Sequence, residues 1–267
     1  VIVFVITYCQ TEDDLWGNLL VFDSIRTGFP TSKIVVVDNG SKERFRLVIG
    51  GTAMMVGAEM VEVGRPGKPK PHDEAIQACS LIAKGKVWVS PLDQPWVLVD
   101  PDTIFYEEVE RWEFNSESVL AGAWIPGFED EASGCWTYAR LHTSFLWVLR
   151  PKKLEETITA LREQRWDWEP WRPVMVRTPG GRWDRWDTGS QLLPMVPFEQ
   201  FDDERLDAYS HVIGGTDSKF LYDRLGEDGK RLQAVHELAR TQPDSLRGLW
   251  REQLAYFQQR GAIQNDR

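Results

Sequence analysis

The chain is poor in the residues that build stapled or cysteine-clamped folds. Its three cysteines, Cys9, Cys79 and Cys135, are an odd number without Cys-x-x-Cys spacing. That argues against a disulfide framework and a cysteine zinc site, and implies a reduced, cytoplasmic setting. Basic charge is scarce too: 31 lysines and arginines face 41 acids, a formal net charge of −10, with no basic block able to track a phosphodiester backbone. Nucleic acid is therefore not an expected partner. No apolar run approaches the roughly 18 residues a membrane span needs. The opening VIVFVITY has no basic leader and meets the acids of TEDD at once, so it reads as a strand rather than a signal or span.

What is present is an ordinary apolar share of 42% and an unusual load of 13 tryptophans. The length suits one large α/β domain or two small ones. Trp166, Trp168, Trp171, Trp183 and Trp186 crowd into one stretch, which reads as a long loop around RTPGG.

Hydrophobic periodicity organises the first half. VIVFVIT (1–7) is uninterrupted, as in a strand covered on both faces; residues 15–28 carry a helical pattern; SKIVVVDNGS (32–41) is a second buried strand ending in a turn. Strand, helix and strand make a βαβ unit. A third strand is expected at 58–63, a Gly/Pro/Lys loop at 64–71, a helix at 72–85, and short strands at 86–90 and 96–100. Further on, the pattern predicts a helix at 104–112, strands at 118–126 and 142–150, a helix at 151–164 opened by proline, and a charged helical tail over 217–259.

WVLVDPDTIF (96–105) places two acids just past a buried strand, where open α/β sheets bind ligands. Carboxylates at i and i+2 on extended backbone project to one side, and Pro101 stiffens the segment, which suits Mg²⁺ or Mn²⁺. A solvated turn after a strand is the plainer alternative. VLVDPDTI also resembles the nucleophile motif of haloacid-dehalogenase phosphatases, but it lacks that motif's glycine after the second acid and sits far from the N-terminus.

Taken in order, VIVFVITYCQ, SKIVVVDNGS and WVLVDPDTIF resemble the nucleotide-sugar glycosyltransferases of GT-A fold, most closely glycosyltransferase family 2. The resemblance covers residues 1–105 well and 106–220 loosely. It implies a mixed, mainly parallel Rossmann-like sheet flanked by helices. The catalytic domain would span 1–225, with a nucleotide-binding half (1–105) and an acceptor-binding half (106–225), followed by a helical extension at 226–267. It implies a metal-dependent transfer of sugar from a nucleotide-diphosphate sugar to a hydroxyl of a glycan or glycoconjugate, with inversion expected. Thr7 and Tyr8 would line the base, Asp38 would hold base or ribose, Asp100 would reach the ribose or a metal-bound water, and Asp102 would bind Mn²⁺ or Mg²⁺.

Further candidates follow from the same resemblance. Asp187 in WDTGSQLL matches the segment that supplies a general base, and as a residue type it equally suits a helix N-cap. Glu129, Asp130 and Glu131 are reserves. His211 in AYSHVIGG matches a late histidine that supplies another metal ligand, with Gly214 and Gly215 free to approach a phosphate. Lys68, Lys70 and His72 either face the diphosphate or are a solvated surface loop. Trp168, Trp171, Trp183 and Trp186, with Trp166, offer flat faces for an acceptor sugar or pack the core; His142 and Ser144 are weaker acceptor candidates. A nucleotidyltransferase would open on a Gly-rich loop with an arginine, which VITYCQTEDD lacks. A phosphatase and a non-catalytic carbohydrate-binding protein remain competing readings.

Overall fold

The structure, a computed structural model, describes residues 1–85, 94–130, 135–164, 169–212, 227–249 and 251. The expected strand at 86–90, Glu131, Trp166, Trp168, Gly214, Gly215 and most of the tail lie outside them.

Strand β1 (Ile2–Thr7) is buried along its whole length. Its alternate side chains feed two cores. Val3 and Val5 face one core with Ile25, Phe45 and Ile49; Ile2, Phe4 and Ile6 face the other with Ile76, Cys79, Leu154 and Ile158. Helices α1 (Leu15–Leu19) and α2 (Ile25–Gly28) follow, then β2 (Lys33–Asp38), α3 (Glu43–Met55), β3 (Glu59–Glu62) and α4 (His72–Gly85). Next come β4 (Trp96–Val99), β5 (Thr103–Phe105), β6 (Leu120–Ile125), β7 (Phe128–Asp130), β8 (Cys135–Thr137) and β9 (Arg140–Val148). The chain continues through α5 (Pro151–Gln164), β10 (Val174–Arg177), β11 (Trp183–Trp186), β12 (Phe198–Gln200), α6 (Asp203–Asp207), β13 (Tyr209–His211) and α7 (Glu227–Thr241).

Among the described residues, the main sheet has seven strands in the order β12-β6-β9-β4-β1-β2-β3. All of its pairings are parallel except those of β9, which runs against both β4 and β6. The fold is thus a mixed, mainly parallel α/β sheet between helical layers. The reversal matters for the site, because it carries the first half of β9 past the carboxyl end of β4.

Three expectations change. The helix predicted over 15–28 is broken, because the Val21 N–H bonds the Pro101 carbonyl at 2.8 Å, a tertiary partner in place of a helical one. The segment 104–112 is no helix: β5 pairs with β13, and the Tyr106 N–H goes to the Ala208 carbonyl. The tryptophan stretch is no loop throughout, since β10 and β11 form a hairpin around RTPGG with Gly181 at φ 85°. They join β7 and β8 in a four-stranded sheet. Helix α3 carries no expectation from the sequence, because exposed Leu47, Val48, Met54 and Met55 blur the apolar face made by Phe45, Ile49 and Ala53.

Near the C-terminus, Ala239 and Leu246 pack on Leu20, Ile104 and Val212. All three cysteines are free and buried. Among the described residues, no helix is long and apolar enough to cross a membrane.

Candidate active site

The Asp-Pro-Asp segment is a turn between β4 and β5 rather than extended chain. Each of its residues ties a different element to the site through its backbone. The Asp100 N–H bonds the Ser144 carbonyl on β9 at 2.7 Å, the Pro101 carbonyl accepts from Val21, and the Asp102 carbonyl accepts from Val212 at 2.9 Å. The last contact extends the β5–β13 ladder, in which His211 stands opposite Thr103.

These tethers bring Asp100, Asp102 and His211 together, with one ligand atom from each lying within 4.8 Å of the others. His211 Nε2 is 3.2 Å from Asp102 Oδ1 and 3.8 Å from Asp100 Oδ2. Asp102 is 3% exposed, and its buried Oδ1 accepts no hydrogen bond of good geometry. Burial, then the Asp102 carboxylate, push Asp100 above the usual carboxylate range. Burial opposes the charged form of His211, but Asp102 and Asp100 outweigh it and raise that imidazole above its ordinary value. Two crowded acids, one with a buried oxygen that makes no well-aligned hydrogen bond, and an imidazole within reach are a donor set that a divalent cation would satisfy.

His142 lies beside this cluster, its ring centroid 5.0 Å from that of His211. The Ser144 N–H donates to His142 Nδ1 at 3.1 Å, with Ser144 Oγ at 2.6 Å from the same nitrogen. Burial, then His211, hold His142 well below its ordinary value, so it is neutral at pH 7.

Arg140, two residues earlier on the same face of β9, meets Asp187: Nη2 to Oδ2 is 3.2 Å. Arg185 takes the other oxygen at 3.3 Å. Asp187 is not a helix cap. The three-residue 3₁₀ turn beyond it, Ser190–Leu192, begins after Gly189, and the backbone donor to Asp187 Oδ1 is the adjacent Thr188 N–H.

Next to Asp100 opens a cleft of about 510 Å³ at the carboxyl ends of β1, β2 and β4. Tyr8, Gln10, Asn39, Lys70 and His72 line it with Asp100. Tyr8 is set by Asn18, whose buried amide both accepts from the Tyr8 N–H and donates to its carbonyl at 2.9 Å. Thr7 and Asp38 are paired across β1 and β2 and buried, at 0% and 1% exposure. Asp38 Oδ1 faces the Ser41 N–H and Thr7 Oγ1, and burial raises its carboxyl. Neither residue lines the cleft. Asn18 and Asn39 escape a reading of the sequence; a polar residue between strand end and glycine is the available signal for Asn39, and a lone Asn in an apolar helix for Asn18.

The tryptophans divide. Trp171 is 5% exposed and packs in the core with Leu154 and Ile158, so it is no acceptor platform. Trp183 is 45% exposed, and Trp186 stacks on Tyr138 with centroids 3.9 Å apart. Glu129 lies on β7, within the small sheet that carries Trp186.

No protein-family model matches the chain, and no curated protein matches it. Solved structures with a similar fold include the glycosyltransferase GlyE of Streptococcus pneumoniae TIGR4, at 14% identity and TM-score 0.42 over 76% of this chain. This chain spans 45% of the length of that one. A mannosyltransferase of Pyrobaculum calidifontis, solved with GDP-Man and Mn²⁺, aligns at 12% identity and TM-score 0.44 over 98% of this chain and 75% of its own. A nucleoside-diphosphate-sugar pyrophosphorylase of Vibrio cholerae RC9 aligns at 10% identity and TM-score 0.46, over 86% of this chain and 100% of its own.

Proposed function

We propose that the chain is a metal-dependent glycosyltransferase of GT-A type that moves a sugar from a nucleotide-diphosphate sugar to a carbohydrate hydroxyl. The observation that carries this reading is the convergence of Asp100, Asp102 and His211 beside a cleft at the carboxyl ends of the parallel strands. Asp100, Asp102 and His211 would hold Mn²⁺ or Mg²⁺, which when bound neutralises charge on a leaving diphosphate. Tyr8 stands at the base end of the cleft. Thr7 and Asp38 act from beneath it by holding the ends of β1 and β2 in register.

Direct displacement with inversion needs a carboxylate to take the acceptor proton. Asp187 is our candidate. Its Oδ2 is held by sheltered Arg140, while Oδ1 accepts from the Thr188 N–H and pairs with Arg185, which is about half exposed, so the Arg185 contact is the one able to give way to an acceptor hydroxyl. Trp186 stacked on Tyr138 offers the acceptor a flat face.

The test is a thermal-shift panel of nucleotides and nucleotide sugars with and without Mn²⁺. Ligands that bind only the native state raise its midpoint. A shift by one nucleotide that depends on Mn²⁺ supports the reading and names the donor base; no shift by any of them removes it. Release of phosphate from simple esters without nucleotide would instead favour a phosphatase.

A further inference from the structure

The segment 64–71, read in sequence either as facing a diphosphate or as a solvated lysine loop, is largely exposed, yet its backbone is docked on the end of β2. The buried Asn39 amide makes both backbone hydrogen bonds to Lys70: Nδ2 donates to the Lys70 carbonyl at 2.9 Å, and the Lys70 N–H donates to Oδ1 at 3.0 Å. The backbones then meet too closely for side chains. A Cβ on Gly64 would lie 2.5 Å from the Asn39 carbonyl carbon, and one on Gly40, at φ 92°, would lie 2.5 Å from the Arg65 carbonyl oxygen. The Gly40 carbonyl accepts from the Gly67 N–H and from Gln10 Nε2. This is a built wall, and it delivers Lys70 and His72 into the cleft with Asp100. Among the described residues, the ion pair of Lys70 Nζ is with half-exposed Glu74 across 3.7 Å, a contact of little energy in water that a phosphate can displace. Of the acids lining the cleft, Asp14 is turned to Thr11 Oγ1, and Asp100 feels the charge of His72.

We propose that Asn39 is a positioning residue that fixes residues 64–71 as the wall on which Lys70 and His72 take the diphosphate of a nucleoside diphosphate. The inference rests on the nucleotide-sugar reading above. Asn39 contributes no contact of its own to the ligand; it sets where Lys70 stands. Asn39→Asp is nearly isosteric, keeps the acceptor for the Lys70 N–H and loses the donor to its carbonyl.

The experiment measures binding of UDP, GDP, ADP, CDP and dTDP calorimetrically, in EDTA and in Mn²⁺, to the intact chain, Asn39→Asp, Lys70→Ala and the double variant. Binding of Mn²⁺ alone is followed in parallel. A lost contact to a charged group predicts about tenfold weaker nucleotide binding for each single variant, in EDTA as in Mn²⁺. The double variant is expected to be no weaker than the weaker single, because both changes remove the same contact. Mn²⁺ alone should bind all four equally. Lys70→Ala alters a half-exposed side chain and keeps the test valid if Asn39→Asp folds poorly. Native-like binding by Lys70→Ala, or effects that multiply in the double variant, would overturn the inference while leaving the glycosyltransferase reading intact. Absence of nucleotide binding by the unaltered chain would remove both.

Discussion

His211 Nε2 stands 3.2 Å from Asp102 Oδ1, and the contact is set by backbone pairing: β13 lies antiparallel to β5, and the Val212 N–H closes on the Asp102 carbonyl. Two residues far apart in the chain are thus held by a ladder, not by chance proximity of flexible side chains.

Asp102→Asn should therefore lose metal without losing the fold. It keeps the backbone bond to Val212 and removes one anionic ligand. Mn²⁺ affinity is expected to fall by more than about 100-fold and metal-dependent turnover to vanish, with the far-UV circular dichroism unchanged. Mn²⁺ titration with near-normal affinity in this variant would sink the assignment.

The same geometry sets a pH dependence. Burial and Asp102 raise Asp100 above its ordinary 3.8, and its acidic neighbours raise His211 above 6.5. For His211 the folded state binds its proton more tightly than the unfolded state, so that stabilisation is complete below 6.5 and is lost as pH rises through the raised value. Ionising Asp100 likewise weakens the metal-free fold above 3.8. A cation requires both groups deprotonated. The difference in melting temperature with and without Mn²⁺ should accordingly widen as pH rises above 6.5 through the raised value of His211, and Mn²⁺ binding should release protons, read by calorimetry in buffers of different ionisation heat.

Asp187→Asn separates base from brace. Arg140 and Asp187 are both sheltered, at 16% and 19% side-chain exposure, so loss of the carboxylate should cost about 2–3 kcal/mol in denaturant unfolding. If Asp187 also takes the acceptor proton, kcat drops by about 10²–10⁴ and the acid limb of its pH profile disappears. An acid limb that survives in the variant would leave Asp187 only the task of holding Arg140.

The tryptophans give opposite signatures. Trp171→Ala opens a hole in the core and should destabilise the fold by about 3–5 kcal/mol. Trp186→Ala, on the small sheet, should change stability by about 1 kcal/mol or less and raise the acceptor KM while leaving donor affinity alone. Equal stability losses would contradict this division.

Much of the donor half is legible because it is written in local pattern. IVFVIT and the IVVV of KIVVVD are uninterrupted strand-forming apolar runs that a doubly covered strand buries, and the acids follow WVLV at the end where such sheets bind ligands. What is not legible depends on distant backbone partners. The helix over 15–28 breaks because Val21 reaches Pro101; the segment after Ile104 is extended because Phe105 has Tyr209 to pair with. Asn18 and Asn39 resemble ordinary turn or helix-surface residues, and their roles exist only once Tyr8 and Lys70 lie beside them. For the tryptophans, composition names the cluster but cannot divide core from surface, since one indole serves either.

The β5–β13 ladder also says something about the order in which the chain assembles. Strand β4 can settle into the growing sheet beside β1 as soon as its neighbours form, but the histidine edge waits for a closure that spans all the chain between β5 and β13. Contacts of such long sequence separation are the slow ones. A refolding chain should therefore regain its sheet signal before it regains cation affinity, which makes the return of Mn²⁺ binding a clock for the last step of folding.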